Sequence, residues 1–137
     1  MAEQRVKRYK AVSGFPVLLE RFLAALDQHI ETVAQCGGLS VTVLTGRGSR
    51  IEVSDNGVHH PAIEATHATA NHLLSEIVEL NDRSTCQPGR ISWRDLDVED
   101  LNNRVAGHFQ SLGFRVDGRV SYDGSFVGNS GDMKVSW

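Results

Sequence analysis

The chain has 137 residues, 40% of them hydrophobic, and a formal net charge of −3. This length predicts a single globular domain, residues 1–137, whose core needs no disulfide or metal crosslink, and the composition excludes wholesale disorder. No apolar run approaches the ~18–20 residues that are needed to cross a bilayer, and the first residues lack the apolar stretch of a secretory signal. We therefore expect a cytoplasmic protein with no membrane partner.

The N-terminal segment, residues 1–12, is basic. Such a segment is typical of a solvated arm, or of an edge strand whose charges prevent further pairing. It can also bind phosphate backbones, so nucleic-acid binding is one alternative function, less favoured because the remainder of the chain is net acidic. Four of the fourteen Lys and Arg residues lie in the first ten positions: Arg5, Lys7, Arg8 and Lys10.

The first predicted helix runs from Pro16 to the pair Gly37–Gly38. Apolar residues recur at spacings of three and four, proline suits a first turn, and glycine suits a left-handed cap. The period then changes to two in residues 39–45 and 50–54, which predicts a β-hairpin around the turn GRGS. In the first strand we expect Leu39, Val41 and Val43 on one face, and Ser40, Thr42 and Leu44 on the other.

The second half of the chain predicts two more helices. One runs from Pro61 to about Leu80, and the other follows Asp97 as N-cap and is closed by Gly113. RISW, residues 90–93, is a candidate strand between them. The tail predicts short strands in FRV, GRVSY and DMKVSW, and the last of them would offer an edge to a partner chain if it were unpaired. Their expected inward residues are Val120, Tyr122, Met133, Val135 and Trp137.

Together these elements predict an α+β fold in the order α-β-β-α-β-α-β-β. Hairpins rather than regular βαβ units favour an antiparallel or mixed sheet, with about three helices on one face. The two cysteines, Cys36 and Cys86, occur without a CxxC pair. This spacing supports neither a zinc ribbon nor a thioredoxin-like site, so we expect free thiols and no cofactor.

The segment DNGVHHPAIEATH, residues 55–67, holds three of the six histidines and is the candidate metal site. If the helix begins at the proline, Glu64 and His67 share one helix edge, and His60 lies at the cap. These three side chains can reach one divalent metal ion.

This metal site needs a further ligand from a second element, and His29 and His108 are the candidates for it. Because the HExxH signature is absent, the competing interpretation is an ordinary helix start with a half-buried His67. A metal-dependent hydrolase that uses His60, Glu64 and His67 is therefore an alternative function. In it the metal would lower the pKa of a bound water.

Two surface features are candidate protein contacts. Arg47 and Arg50 flank the hairpin turn and can contact an acidic partner, while Phe126 lies in a turn of the tail. No nucleophile elbow of the GxSxG type occurs. We therefore favour a small intracellular protein-binding module that acts as a regulator, inhibitor or adaptor through surface contacts. A homodimer formed through a sheet edge is a possible addition.

Overall fold

The structure, a computed structural model, describes residues 2–48, 50–54, 60–84, 93–122 and 129–137. Over these residues the helices are α1 (Ala2–Gln35), α2 (Pro61–Ser84) and α3 (Trp93–Ser111). The strands are β1 (Ser40–Arg47), β2 (Arg50–Glu52), β3 (Arg115–Asp117), β4 (Ser121–Tyr122), β5 (Asn129–Ser130) and β6 (Asp132–Ser136). The predicted α+β class and the order of its elements are confirmed.

The main sheet has the strand order β2-β1-β6-β3, and every neighbouring pair in it is antiparallel. β1 and β2 form the predicted hairpin, in which Arg47 lies opposite Arg50. A second, two-stranded sheet pairs β4 with β5. A bridge between Gly48 and Asn129 connects this small sheet to the end of β1.

The final strand, β6, is a central strand of the main sheet and does not offer a free edge. It pairs with β1 on one side and with β3 on the other. Tertiary packing, rather than chain order, decides which strands are neighbours in the sheet. Within the described part of the chain, β2 and β3 are the outer strands of the main sheet.

The helices pack on one face of the main sheet. α1 contacts α2 and β1, α2 contacts β2, and α3 contacts β3. None of the helices, over the described residues, has both the length and the apolar character that crossing a membrane requires. The buried apolar side chains between the layers are Leu19, Phe22, Leu26, Ile30, Val33, Val41, Val43, Leu44, Ile51, Val53, Ile63, Ala70, Leu73, Leu74, Ile77, Val98, Leu101, Val105, Phe109, Val120, Met133 and Val135.

Strict alternation along β1 fails at Leu44. The register between β1 and β6 shifts between Thr42 and Leu44, and Val43 and Leu44 are both fully buried. Such an irregularity lets two consecutive residues approach the same side of a sheet. The face predicted for Leu44 is therefore corrected, while Val41 and Val43 are buried as expected.

Helix α1 begins at Ala2 and not at Pro16, so residues 2–12 are helical rather than an edge strand. This stretch is rich in Ala, Glu, Gln, Arg and Lys, which are strong helix formers. Proline inside a helix removes one main-chain hydrogen bond. The helix nevertheless continues through Pro16 to Gln35.

Helix α3 begins at Trp93, four residues before the predicted N-cap, so Asp97 lies inside the helix. No glycine or proline between Trp93 and Asp97 stops a helix, and acids near a helix N-terminus interact favourably with its dipole. Of the candidate strand RISW, Trp93 is thus helical, and residues 90–92 lie outside the described part of the chain.

Helices α1 and α3 end in the same way, as predicted. Gly37 has φ +90° and Gly113 has φ +88°, the left-handed conformation that glycine adopts without steric cost. The N–H one residue further on donates to the carbonyl five residues back, Gly38 to Val33 at 2.9 Å and Phe114 to Phe109 at 3.0 Å. This is the Schellman arrangement, and it starts β1 and β3 from the same end of the sheet.

Candidate functional sites

The first candidate site lies at the start of α2. His60 is exposed, and its Nδ1 accepts a hydrogen bond from the Ala62 N–H at 3.2 Å. Its carbonyl accepts from the Glu64 N–H at 2.9 Å, so His60 acts as the N-cap of α2. This capping geometry agrees with the competing interpretation of residues 55–67, in which His60 belongs to an ordinary helix start.

His67 connects α2 to the segment that follows β2. A carbonyl only accepts, so His67 Nε2–H donates to the Val53 carbonyl at 2.7 Å. One helical turn further on, Asn71 Oδ1 accepts from the Val53 N–H at 3.1 Å. Two side chains of α2 thus satisfy both main-chain groups of Val53. In its neutral form His67 carries its free lone pair on Nδ1.

His29 projects from α1 toward α2 and is fully buried. Its Nδ1 lies 2.8 Å from Thr66 Oγ1. The Thr66 hydroxyl also lies 3.2 Å from the Ala62 carbonyl and 3.1 Å from that of Ile63. When the Thr66 hydroxyl donates its single hydrogen to one of those carbonyls, His29 Nδ1–H is the donor to Thr66. The lone pair of His29 is then on Nε2, which is buried with no hydrogen-bond partner among the described residues.

The His29 and His67 rings form a pair, with their centroids 6.1 Å apart and their planes tilted by 54°. Burial, with a smaller contribution from the nearby His67, lowers the pKa of His29 from 6.5 to about 4. A buried imidazole without a counter-ion resists protonation because the charged form loses its hydration. His29 is therefore a neutral lone-pair donor at physiological pH.

The structure does not gather His60, Glu64 and His67 into a metal centre by themselves. Over the described ranges, no group of three or more His, Cys, Asp or Glu side chains is placed to hold a metal ion. Residues 55–59 of the same segment lie outside those ranges.

The two histidines considered as further ligands have different surroundings. His29 is the one beside His67. His108 on α3 instead contacts the carboxylate of Asp27 on α1, with Nε2 at 2.9 Å and 3.0 Å from its two oxygens. This pair connects two helices. It is partly exposed to solvent, and its contribution to stability is correspondingly small.

Of the residues predicted to contact another protein, the structure describes Arg47 and Arg50. Arg47 and Arg50 are both exposed and are cross-strand partners at the tip of the β1–β2 hairpin. Arg50 lies 3.9 Å from the carboxylate of Glu52. Both side chains are thus exposed at the tip of the hairpin, and their contact with an acidic partner stays a prediction. Phe126 falls in residues 123–128, outside the described part of the chain.

A second candidate surface, which the sequence did not indicate, is the end of the sheet opposite this hairpin. Because Ser136 pairs with both Ser40 and Arg115, the residues just beyond them lie side by side. The Trp137 N–H donates to the Leu39 carbonyl at 3.3 Å. We call this surface the apolar end, and its residues are Leu39, Phe114 and Trp137, together with the exposed Leu112 two residues before Phe114.

Three side chains of the apolar end are more exposed to solvent than is usual for large apolar residues. Leu39 is 74% exposed, Leu112 56% and Trp137 41%, and the Phe114 ring contacts the Trp137 ring edge-to-face at 6.2 Å. Trp137, which the sequence predicts to face inward, is therefore exposed, and Leu112 lies one residue beyond the end of α3. These residues follow the core pattern but lie beyond the last turns of the covering helices.

The strand β3 borders the apolar end and carries opposite charges on one face. Arg115 Nε lies 3.1 Å from a carboxylate oxygen of Asp117, and both side chains are exposed. Between them Val116 is partly buried against the core. The outer strand β3 thus carries one positive and one negative side chain and lies next to the apolar end.

Comparison of the chain with protein-family models, curated proteins and solved structures gave no significant match. The functional argument therefore depends on the geometry of the described residues.

Proposed function

We propose that the chain is a protein-binding module that holds an extended segment of another protein against β3. The observation that carries this proposal is the position of the apolar end beside an outer strand of the sheet. An outer strand offers main-chain groups to an added strand, and neighbouring apolar side chains give such an interaction its specificity. Exposed apolar patches at one site are also typical of protein interfaces.

The partner segment has a defined chemistry under this proposal. Arg115 and Asp117 lie two residues apart on the exposed face of β3. An added strand would therefore carry an acidic and a basic residue at alternate positions to match them. Beyond the Arg115 end, an aliphatic or aromatic side chain of the partner would cover Leu112 and Phe114.

A second copy of this chain fits the same edge less well. An antiparallel pair of β3 strands, symmetric about Val116, would match Arg115 of one copy with Asp117 of the other. The same symmetry sets Phe114 opposite Gly118, and Leu112 opposite the region of Val120. The apolar ends of the two copies would then lie at opposite ends of the paired strands. Neither would cover the other, and this favours a different protein as the occupant.

Binding of this kind would regulate or inhibit the partner by occluding the bound segment. The exposed pair Arg47 and Arg50 lies at the other end of the sheet from the apolar end. It is available as a separate contact for acidic groups of a larger partner. A cytoplasmic location is part of this proposal.

The experiment begins with a phage-displayed library of random dodecapeptides, selected on the untagged protein. Enriched sequences are synthesised with a fluorophore, and their Kd is measured by anisotropy. We expect enriched peptides to combine alternating acidic and basic residues with one large apolar residue. We expect Leu112→Asp and Arg115→Asp each to weaken binding at least tenfold, because each removes a matched contact.

Two variants serve as matched controls. Val17 is 57% exposed, close to the 56% of Leu112, but lies on α1, so Val17→Asp should leave the Kd unchanged. Arg50→Asp makes the same charge change at the other outer strand, β2, and should also have no effect. The proposal is wrong if no peptide is enriched, or if both controls weaken binding as much as the test variants. It is also wrong if sedimentation shows a dimer that Arg115→Asp dissociates, because the occupant is then a second copy.

A further inference from the structure

The pair His29 and His67 lies apart from the apolar end and has its own chemistry. Two imidazole rings from different helices meet at the α1–α2 interface, and the second nitrogen of each ring is already engaged by a polar group of the protein. We infer that these two histidines bind a divalent first-row transition-metal ion, with His29 Nε2 and His67 Nδ1 as the protein ligands. Imidazole nitrogen is a preferred ligand of zinc, copper and nickel ions.

The tautomers that this site requires are compatible with the hydrogen bonds of both rings. His67 donates its Nε2–H to the Val53 carbonyl, and His29 donates its Nδ1–H to Thr66, whose hydroxyl is bound in turn to carbonyls of α2. In metal sites the ligating histidine characteristically donates its other N–H to a carbonyl, carboxylate or water. With these tautomers the lone pairs are on His29 Nε2 and His67 Nδ1.

The distance between the rings suits one shared ion. With a metal–nitrogen bond of about 2.0–2.1 Å, each ring centroid lies on the order of 3.2 Å from the ion, and two ligating rings lie about 5–6.4 Å apart. The separation of 6.1 Å falls within this interval. At this separation the nitrogen–metal–nitrogen angle would be roughly 145°, and a tetrahedral angle requires the two rings to approach by about 1 Å.

A second, independent observation is that His29 Nε2 has no hydrogen-bond partner among the described residues. This atom is buried without a hydrogen-bond partner in the described part of the chain, and the His29 residue is fully buried. An unpaired buried acceptor is costly, and ligation of a cation removes that cost. His67 is less buried than His29, so an ion would approach from the side of His67.

The site would have two protein ligands, and other ligands would complete the coordination shell. This is consistent with the finding that no group of three or more His, Cys, Asp or Glu side chains is placed for a metal in the described ranges. A two-ligand site leaves coordination positions open, which is also the arrangement that lets a metal bind exogenous molecules. The inference concerns binding of the ion and does not depend on the proposed peptide interaction.

The test uses untagged protein freed of metal with EDTA and then exchanged into chelator-free buffer. Zn²⁺ binding is measured by calorimetry and Co²⁺ binding by visible absorption. We expect saturable binding of one ion per chain. His29→Leu should raise the Kd at least thirtyfold, since leucine fills a desolvated site but offers no lone pair. His67→Gln should do the same, while its amide can still donate to the Val53 carbonyl.

His72→Gln is the matched control, because His72 is an exposed histidine of α2 that pairs with Glu76 at 3.3 Å. It should leave the Kd unchanged. Ring ¹⁵N spectra of the unmodified protein provide a measurement that needs no variant, and Zn²⁺ should shift the His29 Nε2 and His67 Nδ1 signals. Absence of saturable binding would overturn the inference. Binding that survives His29→Leu but is lost with His60→Gln would also overturn it and would favour the predicted site at residues 55–67.

Discussion

The side-chain amide of Asn102 hydrogen-bonds both main-chain groups of Val120. Nδ2 donates to the Val120 carbonyl at 2.6 Å, and Oδ1 accepts from its N–H at 3.0 Å. Nδ2 also donates to the Val98 carbonyl at 2.8 Å, one turn back along α3. Asn102 and Val120 are both almost completely buried. One side chain thus replaces a strand partner for the residue that precedes β4.

Replacement of Asn102 should therefore be among the most destabilising changes in α3. In Asn102→Leu both main-chain groups of Val120 lose their partner in a dry environment, at about 1–3 kcal/mol for each group. We expect the free energy of unfolding to fall by about 2–4 kcal/mol in urea titrations. Asn103→Leu, a change at the exposed neighbour, should stay within about 0.5 kcal/mol of the unmodified protein. Equal effects at the two positions would contradict the bonding described for Asn102.

Two glycines of the α3 region should respond in opposite directions to alanine. A Cβ added at Gly107 or at Gly113 meets no atom within 4 Å, so neither change creates a clash. Gly107 is inside the helix, where alanine is favoured by about 1 kcal/mol. Gly113 has φ +88°, where an L-residue is disfavoured by about 1–2 kcal/mol. Gly107→Ala should raise the urea midpoint and Gly113→Ala should lower it, and a shift of both in the same direction would contradict the assigned cap.

His29 should make the metal-free protein sensitive to acid. Its pKa is about 4 in the folded chain, against 6.5 for an ordinary histidine, so the unfolded chain binds an extra proton between these values. The contribution of neutral His29 to the free energy of unfolding is fully present above pH ~6.5. It is lost as the pH falls toward ~4, by up to about 3 kcal/mol. Urea titrations at several pH values in EDTA measure this slope.

The His29→Leu variant is the control for this pH dependence. Leucine cannot titrate, so the variant should lose the part of the slope that His29 contributes between pH ~6.5 and ~4, whatever its absolute stability. His72→Gln should keep the slope of the unmodified protein. If His29→Leu and the unmodified protein show parallel curves, protonation of His29 is not linked to unfolding.

Much of the fold was predictable because its signals are local. Pro61 begins α2 and Gly113 ends α3 as expected, since each residue restricts or permits a particular backbone conformation by itself. The start of α1 was not predictable from Pro16, because a proline favours a helix start but does not forbid a longer helix. The burial of Leu44 was missed for a similar reason, since a register shift against β6 is set by the partner strand.

The candidate sites were less predictable than the elements. His60, Glu64 and His67 could be placed on one helix from their spacing, but spacing does not show what a side chain contacts. His67 donates to the Val53 carbonyl and His60 caps its own helix. The apolar end had no sequence signal, because Leu112 and Trp137 have the same apolar character and periodicity as core residues.

The sequence by itself determined the class of the fold, the positions where most elements begin and end, and most of the buried positions of the described strands. These properties follow from backbone preferences and from the period of apolar residues, which act over a few positions. Only the tertiary structure decided that β6 is central, that His29 meets His67, and that Leu39, Leu112 and Trp137 are exposed. The physical reason is that strand order, contact between helices and the extent to which helices cover a sheet depend on how whole elements pack. No short stretch of sequence contains that information.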